Sequence, residues 1–166
     1  MADFHFAFKS VALVESSFVR PLEFEVSGKP GAPDIQLEVS SNRTESSSNL
    51  IEVTLGVKVT MESKDKTQKM KVSAKMVGIF QTVGEAPLEA ITNFSNINGP
   101  AIVFPFVREV IASLTMKANI PPLLLPTMNF AAAYRSSQTA EKPTLKAVAT
   151  TKKTLAKPSR SKVTKE

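Results

Sequence analysis

Between Ile51 and Met61 apolar and polar residues alternate without a break. Ile51, Val53, Leu55, Val57, Val59 and Met61 fall on one side, and Glu52, Thr54, Gly56, Lys58 and Thr60 on the other. A period of two held this long fits a β-strand with one buried and one wet face. A helix would scatter the same residues around its circumference. A chain with such a strand must supply a second layer to cover the apolar face. The return strand follows a charged turn at residues 63–66, with Met70, Val72, Ala74 and Met76 alternating. Val77-Gly78-Ile79-Phe80 then continues in the opposite parity, which predicts a bulge or bend at Met76-Val77.

Earlier runs repeat the pattern. Phe4, Phe6 and Phe8, then Val11 and Leu13, predict a first strand with a bulge near Lys9. Leu22, Phe24 and Val26 alternate before a Gly/Pro loop at residues 28–33, and Ile35, Leu37 and Val39 predict the second strand. The polar, Ser-rich residues 40–49 read as a mobile connection. From Glu85 the spacing changes. Pro87 suits the first turn of a short helix to about Phe94, and Asn98 suits the cap of a longer one with Pro100 in its first turn. Ile102, Val103, Phe106, Val107, Val110, Ile111 and Leu114 recur at spacings of three and four, with Pro105 expected to kink the helix or delay its start. Pro121, Pro122 and Pro126 make residues 120–127 extended, and residues 130–134 form one last turn. Strands first and helices after is an α+β order.

The chain divides by composition into a domain at residues 1–135 and a tail at 136–166. The charge sits in the tail. Of 21 Lys and Arg and 15 Asp and Glu, eight basic and two acidic residues lie from Glu141 onward, so the net +6 belongs there. Lys142, Lys146, Lys152, Lys153, Lys157, Arg160, Lys162 and Lys165 stand among Ala, Thr, Ser and Pro. Such a segment buries too little apolar area to offset its ordering entropy and reads as disordered. Nucleic acid, anionic lipid and an acidic protein are all chemically suitable partners for it.

Catalysis finds little purchase. His5 is the single histidine and there is no cysteine, which excludes disulfides, thiolate chemistry and Cys-based zinc sites. No Gly-rich phosphate loop precedes a helix, and no carboxylate cluster has metal-ligand spacing. No enzyme, metal or cofactor is expected. The N-terminal run does not read as a signal peptide, and no stretch reads as a roughly 18-residue membrane span, so the cytoplasm is the expected compartment.

One block is more specific. The run Gly99-Pro100-Ala101-Ile102-Val103-Phe104-Pro105-Phe106-Val107-Arg108-Glu109 resembles the signature of the SecB family, an apolar-Phe-Pro-aromatic core ahead of an Arg-Glu on a helix. Pro121-Pro122-Leu123, Leu125-Pro126 and Asn129-Phe130 resemble that family's Pro-rich ending, and Gly78-Ile79-Phe80 the end of its fourth strand. The likeness spans residues 4–134. It implies a four-stranded antiparallel Greek-key sheet with a short and a long C-terminal helix packed on one side. It also implies a homotetramer, a dimer of dimers with the long helix at subunit contacts.

The family consists of ATP-independent chaperones that hold unfolded preproteins for export and pass them to the SecA motor. SecB-like members also serve toxin–antitoxin systems. The resemblance therefore implies unfolded polypeptide as the partner. Apolar grooves between sheet and helices would hold it, and the residues expected there are Phe6, Phe8, Ile35, Leu37, Ile79, Phe80 and Leu88. Phe104, Phe106, Val110 and Leu114 are expected at subunit contacts, and Glu15 at a contact with SecA. Two departures stand out. Val19 and Ser73 occupy positions where the family pattern has acids, and the tail is basic where better-known members end in an acidic one.

Overall fold

A computed structural model describes residues 3–22, 24, 33–44, 49–63 and 67–140. Four strands, β1 (His5–Val19), β2 (Asp34–Thr44), β3 (Leu50–Glu62) and β4 (Lys69–Val83), form one sheet in the order β1-β4-β3-β2. All three pairings are antiparallel, so β2, β3 and β4 form a meander and β1 returns beside β4, a Greek-key order. The alternation at Ile51–Met61 sets the two faces. Val53, Leu55, Val57 and Val59 are fully buried, and β4 buries Met70, Val72, Ala74, Met76 and Phe80 beside them.

The strand β4 has no bulge. Its pairing with β3 runs unbroken from Leu50↔Gln81 to Glu62↔Lys69. The expected parity change at Met76-Val77 has another cause. Gly78 keeps its place on the buried face, and the apolar Val77 and Ile79 lie half-buried on the open one. A Cβ on Gly78 would stand 2.6 Å from Val103 Cγ2, so the absence of a side chain is what the packing requires. The irregularities fall in β1 instead, where the register with β4 shifts at Lys9, as expected from the sequence, and again at Val14.

The second strand outruns its sequence signal. It pairs with β3 as far as Thr44↔Leu50, through residues 40–44 that read as a connection. Polar residues are tolerated there because β2 is an edge strand whose outward side chains meet water. Phe24 is buried, whereas Leu22 is almost wholly exposed, so the alternation at 22–26 delivers one core residue and no strand among the described residues. The rest of that alternation, the loop at 28–33 up to Gly31-Ala32, the turn residues 64–66 and the tail from 141 lie outside the described residues.

One face of the sheet is covered by helix. α1 (Leu88–Asn93) follows Pro87, passes into a π-helical turn (Phe94–Asn98) and then into α2 (Gly99–Lys117). Asn98 is therefore not a cap; its backbone is helical and its side chain makes no capping bond. Pro100 explains the wide turn. It offers no N–H, and the Gly99 N–H bonds back five residues to Phe94 O. Pro105 sits on the exposed side, and the helix runs through it. The unbroken run Leu88–Lys117 is long and apolar enough, by length and composition alone, to cross a bilayer, which the expected break at Asn98 concealed. Here Val103, Val107 and Ile111 are buried completely in the core that the sheet builds.

α2 stops at a left-handed Asn119 (φ 57), with the Ile120 N–H returning to Thr115 O at 3.1 Å. The buried Thr115 hydroxyl then accepts the Leu123 N–H at 3.0 Å and lies 2.9 Å from Ala112 O. This ties the Pro-rich segment to α2 and leaves Leu125 buried. Asn129 Oδ1 accepts the Ala132 N–H at 2.9 Å and so starts α3 (Phe130–Ala140). α3 is three turns rather than one, and carries the folded chain past residue 135.

Gly78→Ala should lower the urea midpoint by an amount equivalent to about 1–3 kcal/mol, because Val103 has little rotamer freedom to yield. Thr115→Val should cost about 1–3 kcal/mol by orphaning the Leu123 N–H, with faster hydrogen exchange confined to residues 120–126.

Candidate functional site

Two sheet edges lack a strand partner among the described residues, the outer side of β1 and the outer side of β2. They differ in kind. β1 is broken by two bulges, whereas β2 pairs with β3 over eleven consecutive residues without a register shift. Along β2 the inward residues Ile35, Leu37 and Val39 are only half-buried, because α3 and the π-helical turn stand off from them.

That gap is a trough with two hollows. One, of about 160 Å³, lies between Leu37 and Val39 on β2, Asn96 on the π-helical turn, and Phe130, Ala133 and Tyr134 on α3. The other, of about 210 Å³, continues past Ser41 and Asn42 to Leu88, Ile91 and Thr92 on α1. Asn96 borders both, and its amide donates to Thr92 O at 2.8 Å. The trough is apolar along its walls, polar at intervals, and open along the outer edge of β2, which has no strand partner among the described residues. Such a shape accepts an extended chain, with main-chain bonds to the edge and alternate side chains in the hollows.

The aromatic residues divide between core and surface. Phe6 stacks on Phe94 with centroids 4.0 Å apart, and Phe80 meets Phe94 edge-on at 5.0 Å. Phe104 meets Phe130 at 5.6 Å, with the Arg108 guanidinium 5.9 Å from the Phe104 centroid. These pairs lock α2, the π-helical turn and the start of α3 together. Phe8 instead lies over Phe106 at 6.3 Å, and both are exposed, as are Leu13 and Ile102. They form an apolar surface on the β1 side of α2, remote from the trough.

The residues expected at a client groove are thus distributed over four places. Leu37 lines one hollow and Leu88 the other, and Ile35 is on the same face of β2. Phe6 and Phe80 belong to the aromatic core, Phe8 to the β1-side surface, and Ile79 to the opposite face of the sheet. Of the expected subunit-contact residues, Phe106 is exposed, Phe104 is buried, and Val110 and Leu114 pack against the core. Val39, Asn96, Phe130 and Tyr134 were not expected at the groove from the sequence, because nothing local says that α3 runs beside β2.

The open face of the sheet is different chemistry. A dent of about 190 Å³ over Gly56 is bordered by Glu15, Gln36, Glu38, Lys58, Ser73 and Lys75. Glu15 Oε2 is 3.9 Å from Lys75 Nζ, so this acid has a basic neighbour. The described residues contain no group of His, Asp or Glu side chains able to hold a metal ion.

Residues 2–141 match the family model for preprotein translocase subunit SecB. The protein-export protein SecB of Cellvibrio japonicus is 33% identical over 129 residues, covering 78% of this chain and 76% of that one. The protein-export protein SecB of Methylobacillus flagellatus is 32% identical over 127 residues, covering 73% and 80%. Among solved structures, the SecB-like chaperone of Mycobacterium tuberculosis, in complex with a peptide from an antitoxin, superposes with a TM-score of 0.65 at 14% identity, over 75% of this chain and 91% of that one.

Tyr134→Ala should weaken binding of an extended apolar peptide about tenfold, as expected for losing roughly 1–2 kcal/mol of apolar contact, measured by fluorescence anisotropy. Phe8→Ala, on the other surface, should leave that affinity unchanged.

Proposed function

The chain belongs to the SecB family, and from that premise we propose that it is an ATP-independent holdase for unfolded polypeptide. The trough between β2 and α3 is the observation that carries this reading. A chain segment that is extended and apolar is available only while the client is unfolded, so binding holds the client by mass action. Apolar contacts and main-chain bonds give affinity with little demand on sequence. The client surface proposed is Leu37, Val39, Phe130 and Tyr134, with Ile35 and Leu88 at its ends.

Secretory preproteins are the proposed clients, since the relatives at about a third identity are named as export proteins. The peptide bound to the mycobacterial SecB-like chaperone is in keeping with polypeptide as the ligand class. Its antitoxin origin does not redirect the reading, because that likeness at 14% identity is one of fold. A dimer of dimers is proposed, joined through the exposed apolar surface of Phe8, Leu13, Ile102 and Phe106. Glu15 is the acid proposed to face SecA. With Lys75 beside it and Lys58 bordering the same dent, this face lacks a concentrated negative field, and the docking proposed there is weak. The proposed compartment is the cytoplasm.

Micromolar amounts of the chain should slow the refolding of a chemically unfolded, slow-folding secretory protein, with or without ATP. The same client added already folded should be unaffected. Refolding at an unchanged rate in the presence of excess chain would contradict the holdase reading.

A further inference from the structure

The two hollows of the trough share one residue. Among the described residues, Asn96 alone borders both. It stands half-buried on the π-helical turn, with Phe130 and Tyr134 bordering the hollow on one side of it and Leu88 and Ile91 the hollow on the other. Its amide is fixed in orientation. Thr92 O is an acceptor, so the Nδ2 end must meet it, which it does at 2.8 Å, and Oδ1 is the end left over. Oδ1 has no hydrogen-bond partner among the described residues, and it is not buried. A fixed acceptor therefore stands where the two hollows meet. A client side chain laid over that oxygen either donates to it or leaves it without water and without a partner. The second case costs more than an ordinary hydrogen bond contributes.

The hollows also set a distance. One lies against Leu37 and Val39 and the other against Ser41 and Asn42, so their centres are about four residues, or roughly 13 Å, apart along β2. Every second side chain of an extended client faces the trough. Side chains four residues apart then reach the two hollows, and the one midway comes over Asn96. At about 160 and 210 Å³, each hollow takes one large apolar side chain, since a cavity of about 150 Å³ holds a benzene ring.

We propose that Asn96 is a specificity-determining residue of the trough. It selects extended segments that carry two large apolar side chains four residues apart and a hydroxyl or amide side chain midway, whose O–H or N–H donates to Asn96 Oδ1. This rests on reading the trough as the client site, and it narrows the client class. A segment that is apolar at every trough-facing position binds less well than one interrupted at Asn96, although it is the more apolar of the two. The holdase then discriminates by pattern as well as by total apolar content.

Short labelled peptides with two Phe four residues apart, and either Thr or Val midway, differ only by a hydroxyl in place of a methyl. Followed by fluorescence anisotropy on the native full-length protein, the Thr peptide should bind about fivefold tighter than the Val peptide. Moving the second Phe to the midway position, over Asn96, should weaken binding by a similar factor. In Asn96→Leu the order should invert, with the Val peptide the tighter. The first comparison needs no variant, so it decides the matter even if Asn96→Leu fails to fold. Equal affinity of the Thr and Val peptides for the native protein, or a Thr preference that survives in Asn96→Leu, would overturn the proposal and leave the holdase reading standing, because both peptides still bind. Failure of every peptide to bind, with refolding of the unfolded client unslowed, would overturn the trough reading and this proposal together.

Discussion

Where α2 begins, sheet and helix approach too closely for a side chain at either of two glycines, and the rest of the molecule is arranged around that contact. Val53 on β3 pairs with Gly78 on β4. Val103 presses onto Gly78 from above, and Gly99 meets Val53, where an added Cβ would come within 2.8 Å of Val53 Cγ2. Two glycines, one in the sheet and one in the helix, let backbone and valine methyls fill a space that any side chain would crowd. Packing at that density transmits position faithfully from one layer to the other. The helix axis is pinned at this point, and the aromatic contacts of Phe94 with Phe6 and Phe80 fix its entry.

Once α2 is pinned, the path of the chain beyond it follows. The Thr115 hydroxyl holds Leu123, Leu125 buries itself, and Phe130 packs edge-on against Phe104. α3 is thereby delivered to the β2 side of the sheet, where it stands off from Leu37 and Val39 instead of sealing them. The π-helical turn has the same consequence at the other end of the trough, because it sets Asn96 at the junction of both hollows. The gap that would receive a client is a product of how the core closes, and the strand edge beside it is the straight one. On the opposite edge, bulges at Lys9 and Val14 interrupt the register.

Much of the fold was readable because a period of two leaves few choices. The faces of β3, the bulge near Lys9 and the absence of helix at the Pro-rich residues 120–127 all follow from local pattern. Other features depend on a partner that pattern does not reveal. The parity change after Met76 reads as a bulge until Val103 is known to need the space above Gly78. Asn98 reads as a cap until Pro100, two residues on, is seen to force a wide turn within one continuous helix. Residues 40–44 read as a connection, although pairing with Leu50 to Thr54 makes them strand. For the candidate site, Leu37 and Leu88, expected at a groove from the family resemblance, do line its hollows. Val39, Asn96 and Tyr134 were not expected there, since their place in the trough comes from α3 lying beside β2, a proximity of distant parts of the chain. The family likeness was carried by the block around Gly99 and Phe104, which is the same block that pins the two layers.

Function in this account comes from surface that the core leaves unsealed, so the location of binding matters more than its strength. Hydrogen exchange of the full-length chain, with and without a saturating unfolded secretory client, reads that location directly. Protection should concentrate on β2 and on residues 130–138 of α3. Protection confined to β1 and the exposed side of α2, with β2 unchanged, would contradict the account and move the client to the surface around Phe8 and Phe106.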